Sequence, residues 1–138
     1  MTIEQAIDIH KLTILYSGGG TYGRLDTGKL ESVLQNIEND LYYESLVDKL
    51  THLFFCACKF HCFEDGNKRI ALTLCVKYLL DKGYKEKAES FISAFENITY
   101  FVAAGKIDKE LLSYFISCYL DGTLENIEAK VKLYNAIK

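Results

Sequence analysis

Residues 67–82, NKRIALTLCVKYLLDK, decide the fold. Ile70, Ala71, Leu72, Leu74, Cys75, Val76, Tyr78, Leu79 and Leu80 place apolar side chains on almost every side of a helix, and only Thr73, Lys77 and Asp81 align as a polar strip. A helix that is apolar nearly all round is covered by others. The stretch is therefore predicted to be the buried central helix of an all-α bundle, closed by Gly83. Upstream, Ser45 opens a helix running to His61, with Leu46, Val47, Leu50, Leu53, Phe54 and Ala57 inward and a polar stripe at Asp48, His52 and Lys59. At the start of the chain, Thr2 with Gln5 three residues on forms a capping-box pattern. The helix it opens faces inward through Ile3, Ala6, Ile7 and Ile14 and ends at Gly18-Gly19-Gly20. Residues 18–27 read as an irregular loop or short hairpin, followed by a short helix from Thr27 to Glu38. Downstream, helices fit at 88–104, at 108–120 behind an Asp108 cap, and at 124–137. The last is expected to pack through Leu124, Ile127, Val131 and Tyr134, with lysines opposite.

Composition narrows the class. The chain has 138 residues with no proline and nine glycines, which suits long uninterrupted helices. That length reads as a single domain over 1–138, able to bury roughly two thirds of its unfolded surface. A hydrophobic share of 49% excludes a disordered chain. The longest apolar run, Leu53–Cys58, is six residues and too short to cross a membrane. Met1–Ile9 carries Glu4 and Asp8 and lacks the basic start of a secretory signal, so a cytoplasmic protein with no membrane contact is expected. A net charge of −3 speaks against direct nucleic-acid binding. The five cysteines raise the question of a metal, because His52, Cys56, Cys58, His61 and Cys62 lie close together. On a helix, however, 56 and 58 point about 200° apart, so the cysteines are read as small buried thiols. His10, on an apolar stripe, is read as a packed histidine and His52 as a solvated one.

The chemistry concentrates at KFHCFEDGNKRIALTL, residues 59–74. Asn67 starts the central helix, and a helix N-terminus offers backbone N–H groups and partial positive charge to an anion. Gly66 lets backbone approach a ligand closely. Lys68 and Arg69 put two cations on the first turn, where the helix dipole disfavours them. A bound phosphate would compensate. Asp65 adds a hard carboxylate of the kind Mg²⁺ takes from proteins. His61, at a helix C-terminus that should raise its proton affinity, can serve as a general base for a hydroxyl. Together these suit phosphoryl or nucleotidyl transfer; the bland alternative is a helix corner with incidental charges.

The run His61–Arg69, HCFEDGNKR, resembles the Fic/Doc family signature HxFx(D/E)(G/A)N(G/K)R. Ile9-His10 with Ile14 and Gly18-Gly19 resembles the IHxxxIxxxGG opening of the Doc (death-on-curing) branch. DTGKLESVL at 26–34 and AAGKIDKELL at 103–112 resemble further segments of that branch, so the likeness spans about residues 4–118. The resemblance implies a Fic-type helical bundle. It implies His61 as the base that deprotonates a target hydroxyl and Asp65 as the Mg²⁺ ligand. Gly66, Asn67, Lys68 and Arg69 match the nucleotide-binding turn, and Phe63 matches the aromatic anchor of the loop. Residues 18–27 match the flap over the target segment, with Gly20, Tyr22, Gly23 and Arg24 as candidate contacts.

Within the family, Fic enzymes usually transfer AMP and carry glycine at the position of Lys68. Doc carries lysine there and transfers the γ-phosphate of ATP to elongation factor Tu. Fic enzymes commonly have a second arginine three residues after the first, where this chain has Leu72. Gly66 is the Fic-like choice where Doc often has alanine, and the Doc flap sequence GIRD appears as Gly23-Arg24-Leu25-Asp26. No full match to the self-inhibitory motif (S/T)xxxE(G/N) occurs, which implies control in trans by an antitoxin like that of Doc, called Phd. The expectation is an ATP- and Mg²⁺-dependent toxin that phosphorylates a translation factor. The alternatives are an AMP transferase and a non-catalytic nucleotide-binding module.

Overall fold

The computed structural model describes residues 1–16, 20, 23, 26–60, 62 and 66–138. Seven helices occur among them: α1 (Ile3–Tyr16), α2 (Thr27–Asn36), α3 (Leu46–Lys59), α4 (Asn67–Asp81), α5 (Lys85–Ala103), α6 (Lys109–Asp121) and α7 (Ile127–Ile137). The described residues contain no strand, and the fold is all-α. None of these helices is long and apolar enough to cross a membrane. The flap segment falls largely at residues 17–19, 21–22 and 24–25, outside the described residues.

Local chemistry explains the helix ends. The Thr2 side chain accepts the N–H of Gln5 at 3.2 Å while Gln5 Oε1 accepts that of Thr2 at 3.0 Å, the reciprocal capping box expected from the sequence. Ser45 and Asp48 repeat the device on α3. Gly83, at φ +90°, ends α4: its N–H bonds Leu80 O at 3.1 Å and the N–H of Tyr84 bonds Leu79 O at 2.8 Å. That is the Schellman pattern, which needs a left-handed residue. The same pair of bonds closes α5 and α6.

α4 is the hub, packed against α1, α3 and α5, while α3 also meets α2 and α6. Ile70, Ala71, Leu72, Leu74, Cys75, Tyr78 and Leu79 of α4 are buried. The burial is not complete around the helix, since Leu80 is 48% exposed beside the Lys77–Asp81 ion pair (2.7 Å). At the far end of the core Phe54, Phe91, Phe95 and Tyr119 form an aromatic cluster, with Phe91 and Phe95 stacked at 4.6 Å and Tyr119 edge-on to both. All five cysteines are buried free thiols.

Two helix starts need correction. α5 begins at Lys85, ahead of the expected 88, because the Schellman turn delivers the chain directly into a new helix, whose first two residues, Lys85 and Glu86, are exposed. α7 begins at Ile127 and not at 124, because residues 123–126 form a turn in which the N–H of Asn126 bonds Thr123 O. Its packed face is also different. Ala129 is buried and Leu133 and Ala136 pack on the core, whereas Ile127, Val131 and Tyr134 are 81%, 49% and 65% exposed.

Candidate functional site

The site lies where α3 ends and α4 begins. Phe60 caps α3, its N–H bonding Cys56 O at 2.9 Å, and Lys29 Nζ of α2 stands 5.7 Å from its ring centre. Cys62 is buried, and its carbonyl accepts the N–H of Asp26 at 3.2 Å. Asp26 also caps α2 by accepting the N–H of Lys29 at 3.2 Å. The last residue before α2 is thus fastened to the motif loop. Of the flap candidates, Gly20 is exposed with φ +135° and Gly23 is half-buried; Tyr22 and Arg24 lie outside the described residues. So do His61, Phe63 and Asp65.

The four residues expected to bind the nucleotide form the start of α4. Gly66 is the N-cap of α4 at φ +78°, ψ +16°, and Asn67, Lys68 and Arg69 are the first three helical residues. Two independent features favour glycine at 66. The left-handed backbone costs a side-chain-bearing residue roughly 1–2 kcal/mol. A Cβ would also stand 2.8 Å from Ile14 Cδ1 and 3.8 Å from His10 Nε2. α1 therefore forms the floor of the turn, with His10 and Ile14 1% and 0% exposed. His10 is packed, as read from its apolar stripe. Beneath, Thr13 of α1 and Thr73 of α4 share a hydroxyl–hydroxyl bond of 3.0 Å, Thr13 donates to Ile9 O at 2.7 Å, and Thr73 reaches Arg69 O at 3.3 Å.

The start of α4 brings positive groups together. The N-cap is a glycine with no side-chain oxygen to offer, the first turn of α4 holds no acid, and Lys68 and Arg69 add positive charge to the positive end of the helix dipole. Lys68 is exposed, and Asn67 and Arg69 are half-buried.

Nothing in the sequence singles out Thr99 of α5, yet it belongs to the site. It is buried, its Oγ1 lies 3.3 Å from Lys68 O, and Cys58 Sγ is 3.2 Å away. A threonine in the middle of an amphipathic helix carries no signal of what its hydroxyl will meet.

His52 departs from its solvated reading. It is half-buried, stacked on Tyr43 at 4.7 Å between centroids, and its Nδ1 accepts from Lys109 Nζ at 2.8 Å. Burial, reinforced by the Lys109 charge, pushes its pKa down to about 4. Of the polar stripe on α3, His52 faces the start of α6 through Lys109, while Asp48 is exposed. Beside it opens a cleft of about 440 Å³, lined by Tyr42, Tyr43, Asp48, Thr51, Lys109, Glu110 and Ser113, which contains no motif residue. A second cleft, about 350 Å³, lies between α1 and α4 and is lined by Ile9, Leu12, Thr13, Tyr16 and Thr73. Among the described residues no group of three or more His, Cys, Asp or Glu side chains could hold a metal ion.

Comparison with curated proteins and with solved structures returns no match for this chain. The model of the Fic/DOC family matches residues 1–79. That span runs from α1 almost to the end of α4, more than half of the chain, and contains the motif loop, the Gly66 turn and the α1 floor beneath it. The chain belongs to the Fic/DOC family, whose members generally transfer nucleotide-derived groups to proteins.

Proposed function

We propose that the chain is a Doc-like toxin that transfers the γ-phosphate of ATP to a serine or threonine hydroxyl of a protein, a translation factor such as elongation factor Tu by resemblance. The observation that carries this reading is Lys68. It stands exposed on the first turn of α4, at the position where AMP-transferring relatives carry glycine. One turn on, Leu72 is 7% exposed in the hydrophobic core, where such relatives commonly place a second arginine. A core-facing leucine offers nothing to a nucleotide.

In this reading the backbone N–H groups that follow Gly66, with Lys68 and Arg69, hold the phosphates by charge-assisted bonds. His61 takes the proton from the target hydroxyl. The hydroxyl oxygen then bonds to the γ-phosphorus, the bond from that phosphorus to the β–γ bridging oxygen breaks, and ADP leaves with the electron pair. Asp65 is the residue that would hold Mg²⁺. A single hard carboxylate suits an ion that draws its other donors from phosphates and water. The ion supplies charge neutralisation on the phosphates.

The reading includes control by a Phd-like antitoxin in trans. The cleft between α1 and α4 supports it. Leu12 and Tyr16 on its rim are 53% and 84% exposed, and Thr73 in its wall bonds the Arg69 carbonyl of the turn. An amphipathic helix laid there would sit beside the site. Expression without a partner should arrest growth of the host, and His61→Ala should relieve it. Undiminished toxicity of a folded His61→Ala protein would remove catalysis as the cause.

A further inference from the structure

Thr99 is buried at the meeting point of α3, α4 and α5. Its hydroxyl lies 3.3 Å from the carbonyl oxygen of Lys68 and 3.2 Å from Cys58 Sγ. The hydroxyl has one proton and the carbonyl can only accept, so Thr99 donates to Lys68 O and Cys58 S–H donates to Thr99 Oγ1. This order needs a protonated thiol. Burial pushes the Cys58 pKa up to about 11, which keeps the proton in place at neutral pH.

The three partners occupy distinct places around the motif loop. Cys58 is in the last turn of α3, three residues before His61; Lys68 is in the first turn of α4 and heads the anion-binding turn. One relay, Cys58 S–H to Thr99 Oγ1 to Lys68 O, therefore ties together the two helix ends from which the loop springs. We infer that Thr99 is a positioning residue: its hydroxyl fixes the phosphate-holding turn of α4 against the base-bearing end of α3. This rests on the phosphoryl-transfer reading for its consequence in catalysis, but not for the structural tie itself. Group transfer depends on alignment to within about 1 Å, so a small slip between these ends costs turnover more than nucleotide binding.

The test uses Thr99→Val, which keeps volume and β-branching and removes the hydroxyl, and Thr99→Ser, which keeps the hydroxyl. The structural arm follows amide hydrogen exchange by NMR at Phe60 and Ile70, whose N–H groups close the two ends through Cys56 O (2.9 Å) and Gly66 O (2.7 Å). Thr99→Val should speed both about tenfold relative to amides of α7, and Thr99→Ser should restore them. Unchanged rates, or a uniform acceleration across the whole chain, would overturn the tie. The catalytic arm measures transfer from labelled ATP. Thr99→Val should lower kcat about tenfold with KM for ATP within about twofold, rescued by Thr99→Ser. A rise in KM at constant kcat would refute the positioning role. Absence of any transfer by the wild-type chain would refute the phosphoryl-transfer reading while the exchange arm still decides the tie.

Discussion

Gly66 shows how much one residue can be asked to do. Its φ of +78° starts α4, and its missing side chain makes room for Ile14, so the sequence's opening motif and its signature motif meet in space. Some Doc-type relatives carry alanine here; in this chain alanine meets both a left-handed backbone and Ile14 Cδ1. Gly66→Ala is expected to lower stability by about 1–2 kcal/mol, read by denaturant unfolding, with the turn displaced as Ile14 gives way. An unchanged midpoint would mean that the turn relaxes freely and that α1 does not constrain it. Lys68 is the other residue on which much rests. Its charge stands at the positive end of a helix with no acid in the first turn, an arrangement stabilised when an anion is bound.

At the scale of elements, periodicity made the helices legible and caps made their starts legible. Thr2, Ser45 and Asp108 each cap the helix expected of them. The central helix was readable because nine apolar residues leave room for only one polar strip. Where the reading failed, the competing signals were weak. In α7 both Ile127/Val131/Tyr134 and Ala129/Leu133/Ala136 form helical stripes, and the larger side chains are the exposed ones. Which stripe turns inward is a preference that only tertiary context sets, and here it is the one through Ala129, Leu133 and Ala136. Val131→Ala should therefore change stability by less than about 0.5 kcal/mol, as exposed positions do. Ala129→Asp, which buries a charge, should cost more than about 2 kcal/mol. Equal effects in thermal unfolding would return the helix to the face expected from the sequence. The pairing of His52 with Lys109 and of Thr99 with Lys68 joins residues 57 and 31 positions apart, and local pattern contains no trace of either.

At the scale of the molecule, stability and activity draw on different groups. His52 is neutral when folded, with a pKa of about 4 against 6.5 in a free histidine. Between these values the unfolded chain binds more protons than the folded one, so stability is fully present above about pH 6.5 and is lost as pH falls towards 4. His52→Gln should flatten that decline in pH-dependent unfolding; an identical slope would assign it to other groups. The proposed activity draws instead on the α1–α4 corner, which the family match covers, and on the packing of α4 against α1, α3 and α5. In the proposed reading, the phosphate attacked is set by which end of the nucleotide the Gly66–Arg69 turn holds. On that proposal a lysine at 68 would fill the room that glycine leaves for the β-phosphate and favour presenting the γ-phosphate to the hydroxyl at His61. The two poses exclude each other, because the attacked phosphorus must lie about 3–3.5 Å from the nucleophile. The decisive measurement incubates the chain, ATP and Mg²⁺ with elongation factor Tu or a cell extract, using ATP labelled at either the α- or the γ-phosphate. Label on protein from γ-³²P-ATP alone, lost in Lys68→Gly, is the predicted result; label from α-³²P-ATP would contradict the account.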